Sequence, residues 1–190
     1  MSFLRSPFTP DLPPVLRGGQ VVLRTPEMGD HEAWVRLRLA SREFLMPWEP
    51  LWPSNDTTRA SFRNRIKQYL RDIGDDQAYP FFIFSSDERS LMGAVTLSNL
   101  RRGVAQMATL GYWIGAPYVC QGYMTDAVRT VLPFAFDHLN LHRVEAACLP
   151  RNLASIALLR RTGFQQEGLA RNYLKINGEW QDHLLFARLA

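Results

Sequence analysis

The apolar residues Met124, Ala127, Val128, Val131, Leu132, Ala135 and Phe136 recur at i, i+3, i+4, i+7, i+8, i+11 and i+12. That is the period of an α-helix with a broad buried stripe. The stretch before it has a different texture. Residues 79–85, 91–100 and 104–114 are short runs rich in Phe, Val, Ile, Leu and Thr. Ser86-Asp87-Glu88-Arg89-Ser90 and Arg101-Arg102-Gly103 separate them with turn chemistry, so they read as an antiparallel meander. A buried helix that follows a meander directly requires a layered domain of mixed α/β (α+β) class.

The remaining segments extend this pattern. Val21-Val22-Leu23-Arg24 reads as a first strand, and Pro26, Glu27 and Asp30 suit the start of a helix carrying Ala33, Trp34 and Leu37. The run from Met46 to Pro53 holds three prolines and two tryptophans, which predicts a rigid aromatic loop. A second helix falls within residues 54–73, with Phe62, Ile66, Tyr69 and Leu70 on one face. Pro133 should kink or end the long helix. Residues 142–149 return to strand. Asn152 and Gly163 bracket a short helix over residues 153–162 as N-cap and C′ residue. Asn177-Gly178 is the type I′ hairpin dipeptide, joining a strand at 173–176 to one at 179–186. Residues 1–18, with prolines at 7, 10, 13 and 14, read as an irregular leader to a single domain over residues 19–190.

Composition narrows the class. With 190 residues, 46% hydrophobic and 21% charged, the chain suits one globular domain, and disorder, collagen and coiled coil fit poorly. Two cysteines make no disulfide framework, and there is no apolar run of membrane-spanning length, so the expected setting is the cytoplasm. The net charge of +4 comes from 22 basic and 18 acidic residues. Twenty of the basic residues are Arg, a side chain suited to phosphate. They are spread along the chain without a basic block, so no direct nucleic-acid site is expected. His31, His138, His142 and His183 lack zinc-ligand spacing, and no metal is expected.

Three segments carry candidate chemistry. In the first, a strand at 111–114 passes through Gly115 to Gly122 into the long helix. The free N–H groups of that helix's first turn, next to a glycine, suit an anion. In the second, Asn152 and Ser155 stand one helical turn apart after a strand. In the third, Glu167 follows on a strand, where a carboxylate could act as a base. Each also has a plain reading, respectively a strand-to-helix turn, an N-cap, and a solvent-facing carboxylate.

Taken in order, several short segments resemble one family over about residues 20–190. They are Phe44-Leu45-Met46-Pro47-Trp48-Glu49-Pro50, Gly111-Tyr112-Trp113-Ile114-Gly115, Gln121-Gly122-Tyr123-Met124-Thr125-Asp126-Ala127, Asn152-Leu153-Ala154-Ser155, Gly163-Phe164, Glu167-Gly168 and Asn177-Gly178-Glu179-Trp180-Gln181-Asp182-His183. The chain resembles the GNAT-fold N-acetyltransferases, and within them the RimJ-type ribosomal-protein alanine N-acetyltransferases. The resemblance implies a largely antiparallel central sheet, splayed at an acetyl-CoA site and flanked by about four helices. It implies acetyl transfer to a protein N-terminal α-amine, with acetyl-CoA as co-substrate, no metal, and a monomer or homodimer; a CoA-binding or ribosome-associated module that has lost catalysis, for which the departure at Cys120 speaks, and a GNAT acting on a small-molecule amine are the alternatives.

The resemblance also assigns roles to residues. Tyr112, Trp113 and Ile114 match a splayed strand that binds pantetheine, and Val119, Cys120, Gln121, Gly122, Tyr123, Met124 and Thr125 match the pyrophosphate turn. Asn152 matches a pantetheine contact, Ser155 a donor to the leaving thiolate, and Glu167 a general base. Trp48, Glu49 and Asn99 are expected near the acceptor. The superfamily turn reads Gln/Arg-x-x-Gly-x-Gly/Ala, whereas this chain has Pro117 at the Gln/Arg position and Cys120 at the first glycine position. A positive φ there would strain Cys120.

Overall fold

The computed structural model describes residues 11–190. Eight strands form one sheet: β1 (Leu16–Arg17), β2 (Val21–Arg24), β3 (Tyr79–Ser85), β4 (Leu91–Arg101), β5 (Met107–Ile114), β6 (Arg143–Cys148), β7 (Gln165–Ile176) and β8 (Glu179–Leu189). Their order across the sheet is β1-β2-β3-β4-β5-β6-β8-β7. Every neighbouring pair is antiparallel except β5 and β6, which run parallel. Five α-helices cover the sheet: α1 (His31–Ala40), α2 (Arg42–Leu45), α3 (Arg59–Gly74), α4 (Tyr123–Pro133) and α5 (Leu153–Arg161). None of the helices described is long and apolar enough to cross a membrane.

The alternation of side chains along β3 divides the core in two. Phe81 and Ile83 face one cluster, which is filled from α4 by Met124, Ala127, Val128, Val131 and Leu132. Phe82 and Phe84 face the other, filled by Trp34 and Leu37 of α1 and Phe62 and Ile66 of α3. The apolar stripe read from the sequence is therefore the face that α4 buries, and each fully buried Val or Leu contributes about 1.5–3 kcal/mol. Thr58 caps α3, its Oγ1 accepting from Ser61 N at 3.2 Å.

Pro133 ends the regular α4 as expected. A single π-helical turn follows at Phe134–His138, closed by Leu139 N donating to Phe134 O at 2.9 Å. Asn177 and Gly178 both have positive φ, 47° and 86°, and make the tight turn between β7 and β8. Two expectations change. The helix predicted to start at Pro26 begins instead with a 3-10 turn at Met28–Asp30, closed by a capping box between Glu27 and Asp30. The predicted leader contains β1, which pairs with β2 through Leu16↔Leu23 and Arg17↔Val22. Residues 1–10 of that leader lie outside the described residues.

Candidate active site

The parallel pair at the centre of the sheet comes apart. β5 and β6 pair only through Met107↔Arg143, Ala108↔Val144 and Thr109↔Glu145. β5 then stays with β4 as far as Gly93↔Ile114, while β6 stays with β8 as far as Cys148↔Leu184. The edge of β5 from Leu110 to Ile114 therefore faces β6 with no strand partner among the described residues. Backbone N–H and C=O groups on such an edge need hydrogen-bond partners, and an extended amide-bearing ligand supplies them. Tyr112, Trp113 and Ile114 all lie on this stretch.

Past Ile114 the chain makes a 3-10 turn at Ala116–Tyr118 and enters α4 through Cys120 and Gly122, both left-handed at φ 60° and 87°. Cys120 is thus in the conformation its position in the motif demands, at a cost of roughly 1–2 kcal/mol for a non-glycine residue. Gly122 is the N-cap of α4 and offers no side chain, which leaves the N–H groups of Tyr123, Met124 and Thr125 without side-chain caps. Asp126, also in the first turn, is drawn aside, since its carboxylate accepts from Gln20 N at 2.6 Å. Together these features form an anion cradle at the positive end of a helix dipole.

Across the gap, Asn152 caps α5 by accepting from Ser155 N at 3.1 Å. This cap presents the Ser155 hydroxyl to β5, where its Oγ lies 2.5 Å from the Tyr112 hydroxyl. Burial pushes the Tyr112 phenol well above its ordinary range, although the Ser155 hydrogen bond pulls it the other way. Tyr112 therefore stays protonated at neutral pH and shares with Ser155 a hydroxyl–hydroxyl hydrogen bond in which either oxygen can donate. Burial likewise raises the Cys148 thiol, which also meets the Ser155 hydroxyl. A thiol held protonated is a poor nucleophile.

A second cluster lies on the Trp113 side of β5. The Arg38 guanidinium, buried on α1, donates to both carboxylate oxygens of Glu49 at 2.8 and 2.7 Å. It lies 3.8 Å from the centroid of the Trp52 ring and 4.9 Å from that of Trp113. Trp52 Nε1 donates to Glu49 at 2.7 Å. Asn177 N donates to the Glu49 carbonyl at 2.9 Å, and Arg151 reaches Pro47 O at 3.4 Å with its guanidinium near the Trp48 ring. The aromatic loop after α2 is thereby tied to α1, to the β7–β8 hairpin and to the start of α5. Both Glu49 oxygens are engaged in this tie, so the residue braces the loop.

Two expected site residues lie elsewhere. The Glu167 carboxylate makes a bidentate ion pair with Arg143, the first residue of β6 and thus at the closed end of the parted strands. Those hydrogen bonds hold it below the usual carboxylate range, which makes it a weaker base. Asn99 is exposed, with φ 52°, at a register shift in β4 close to Ser98↔Thr109 and likewise at the closed end. Arg38, Trp52 and Arg151 were not predicted. Arg38 carried a signal, because it follows Trp34 by one helical turn on the apolar face of α1. Pairings such as Arg151 with Pro47 join distant segments and leave no local pattern.

Comparison with known proteins agrees with this geometry. Residues 20–165 match the family model described as "Acetyltransferase (GNAT) domain". "Probable N-acetyltransferase YjcK" of Bacillus subtilis (strain 168) is 37% identical over 92% of this chain and 97% of its own length. The "[Ribosomal protein uS5]-alanine N-acetyltransferase" of Escherichia coli (strain K12) is 34% identical over 83% of this chain and 82% of its own. A structure titled "Mycobacterium smegmatis RimJ in complex with CoA-disulfide" superposes with a TM-score of 0.88 at 34% identity, covering 95% of this chain and 88% of the other. The chain belongs to the GNAT acetyltransferase family.

Proposed function

We propose that this acetyltransferase uses acetyl-CoA to acetylate a protein N-terminal α-amine, specifically the N-terminal alanine of a ribosomal protein, by direct transfer in a ternary complex in the cytoplasm. The observation that carries the reading is the parting of β5 from β6 with the Tyr112–Ser155 hydroxyl pair between them. The named activity of the Escherichia coli relative supports the acceptor class. The protonated, buried Cys148 favours direct transfer over an acetyl-enzyme.

In this reading the unpaired edge of β5 holds the pantetheine arm, and the Cys120–Thr125 turn holds the pyrophosphate. The amine approaches beside the loop that carries Trp48, Glu49 and Trp52. A new N–C bond forms at the acetyl carbonyl carbon and the C–S bond breaks. Ser155, backed by Tyr112, donates a hydrogen bond to the departing sulfur. A thiol's pKa, near 8.5 by analogy with cysteine, makes full proton transfer a small requirement.

The amine proton is assigned to His183. This side chain is 3% exposed and lies on β8 one residue beyond Leu184↔Cys148, the last β6–β8 pair. Its Nδ1 is 2.9 Å from the Gln181 carbonyl, which can only accept, so Nδ1 carries the proton. In the neutral ring Nε2 then presents a lone pair. An α-amine, with a pKa near 7.7–8.0, needs only modest help of this kind. A screen of acetyl transfer against N-terminal peptides, free amino acids and polyamines tests the assignment. Preference for a free amino acid or a polyamine over every peptide would refute it.

A further inference from the structure

The positive charge that the sequence scatters gathers into a row on α3. Arg59, Arg63, Lys67 and Arg71 follow at four-residue steps, and all four are exposed. At 1.5 Å per residue the row runs about 18 Å, drifting by about 40° per step around the helix. Phe62, Ile66 and Ile73 on the other side of α3 are buried, which turns the row to solvent. The helix carries five basic side chains and one acidic, a net charge equal to the +4 of the whole chain. Arg65 is occupied by Asp56 at 2.6 Å and stands off the row. Among the described residues Arg59, Arg63 and Lys67 make no ion pair. Residues 1–10 contain no Asp or Glu.

Unpaired like charges at i, i+4 destabilise a helix by roughly 0.2–0.5 kcal/mol per pair. A row of them is therefore a cost that a polyanion removes. We propose that this face of α3 binds the phosphate backbone of duplex RNA. The occupant follows from charge complementarity and from what surrounds the row. Three of the four cations are Arg, whose planar fork matches phosphate oxygens. Of the neighbouring exposed side chains, Asn64 is a polar hydrogen-bonding group, and Gln68 accepts from Arg71 and donates to Asp72, which orients the Arg71 guanidinium. No exposed aromatic lies in the row to stack a base, so recognition is by backbone and shape rather than sequence. A bilayer is disfavoured because the apolar face of α3 is committed to the core and cannot insert. The choice of RNA rests on the ribosomal acceptor proposed above. Arg65 of α3 lies 5.1 Å from the centroid of the Trp34 ring, which Arg38 also approaches at 6.0 Å, so RNA along α3 would run beside the loop where the proposed acceptor enters.

The test is fluorescence anisotropy of a labelled mixed-sequence RNA duplex at several salt concentrations, with a DNA duplex, polyglutamate and phosphatidylserine vesicles as comparison probes. Four phosphate contacts predict a log–log salt slope of about −3 to −4, or about a 10²-fold loss of affinity between about 50 and 200 mM salt. The variant R59Q/R63Q/K67Q/R71Q keeps helix propensity. It should lose RNA binding while melting no lower than wild type, since the like-charge repulsion is relieved, and while retaining its rate on a free N-terminal peptide. Equal RNA affinity for variant and wild type overturns the proposal, as does DNA, polyglutamate or vesicle binding tighter than RNA. A wild type that binds RNA in this way yet acetylates no peptide overturns the acceptor reading and leaves this one standing.

Discussion

Gly122 separates folding from cofactor binding within one residue. Its φ of 87° is left-handed, so alanine there pays the conformational cost of that region, roughly 1–2 kcal/mol. The cost is not increased by a clash, because a Cβ at Gly122 would meet only Gln20 Nε2, at 3.7 Å. For a chain of this length, 1 kcal/mol moves the melting temperature by about 2–4 °C, so Gly122→Ala should lower it by about 2–8 °C. The same Cβ stands on the surface where a phosphate must approach the α4 amides. Losing one charge-assisted hydrogen bond there costs about 1.5–3 kcal/mol, a roughly 10- to 150-fold rise in the Kd for CoA. Gly122→Asn sharpens the comparison, since asparagine tolerates positive φ yet carries a Cβ. It should recover most of the stability and little of the affinity. The assay is calorimetry without CoA for the melting temperature and titration calorimetry for the Kd. If both variants melt lower but bind CoA as tightly as wild type, the turn is only structural and the cradle assignment is wrong.

Three further outcomes follow from the site. Asn152→Ala removes the α5 cap and should cost about 0.5–2 kcal/mol in urea unfolding, with weaker CoA binding. Asn152→Asp should restore the stability alone, and recovery of both by Asp would reduce Asn152 to a cap. His183→Gln should lower the acetylation rate by about 10²–10⁴-fold, with the defect shrinking above the amine pKa, whereas Glu167→Gln should leave the rate nearly unchanged. The reverse pattern in a pH–rate profile would return the base to Glu167. Burial, together with the Asp76 hydrogen bond, pushes Tyr79 up to about 12, and burial also raises Tyr112, while unfolded tyrosines titrate near 10. The folded state therefore keeps protons that the unfolded chain releases. Stability should be fully present below about pH 10 and fall as pH rises toward 12. A urea midpoint flat across that window would contradict these shifts.

Much of the architecture was legible because its signals are local. The α4 stripe, the strand at residues 79–85, the Asn152 cap and the Asn177-Gly178 turn are each written in a few neighbouring residues, and the structure keeps them, with Ala135 and Phe136 at the end of the stripe falling in the π turn. The parting of β5 from β6 was not readable from periodicity, since strands that pair and strands that diverge have the same alternation. Only the resemblance of the surrounding motifs anticipated it. The partner of Glu167 is not local either. A strand carboxylate near α5 reads alike whether it faces the amine or an arginine, and here Arg143 takes both oxygens. Glu49 reads from the sequence as a loop carboxylate, and what it does depends on Arg38, a buried charge on another helix. The row on α3 was hidden for a related reason. Four-residue spacing disperses charge in sequence and aligns it in a helix.

The central claim is acetyl transfer to an α-amine, and mass spectrometry of one peptide pair tests it most directly. The first peptide begins with alanine and contains an internal lysine. The second is the same peptide with its N-terminus blocked. With acetyl-CoA and enzyme, the account predicts one added acetyl group, located by fragmentation on the α-nitrogen of the first peptide, and none on the second. Acetylation of the lysine in the blocked peptide, or turnover of acetyl-CoA only in the presence of a small amine, would contradict it.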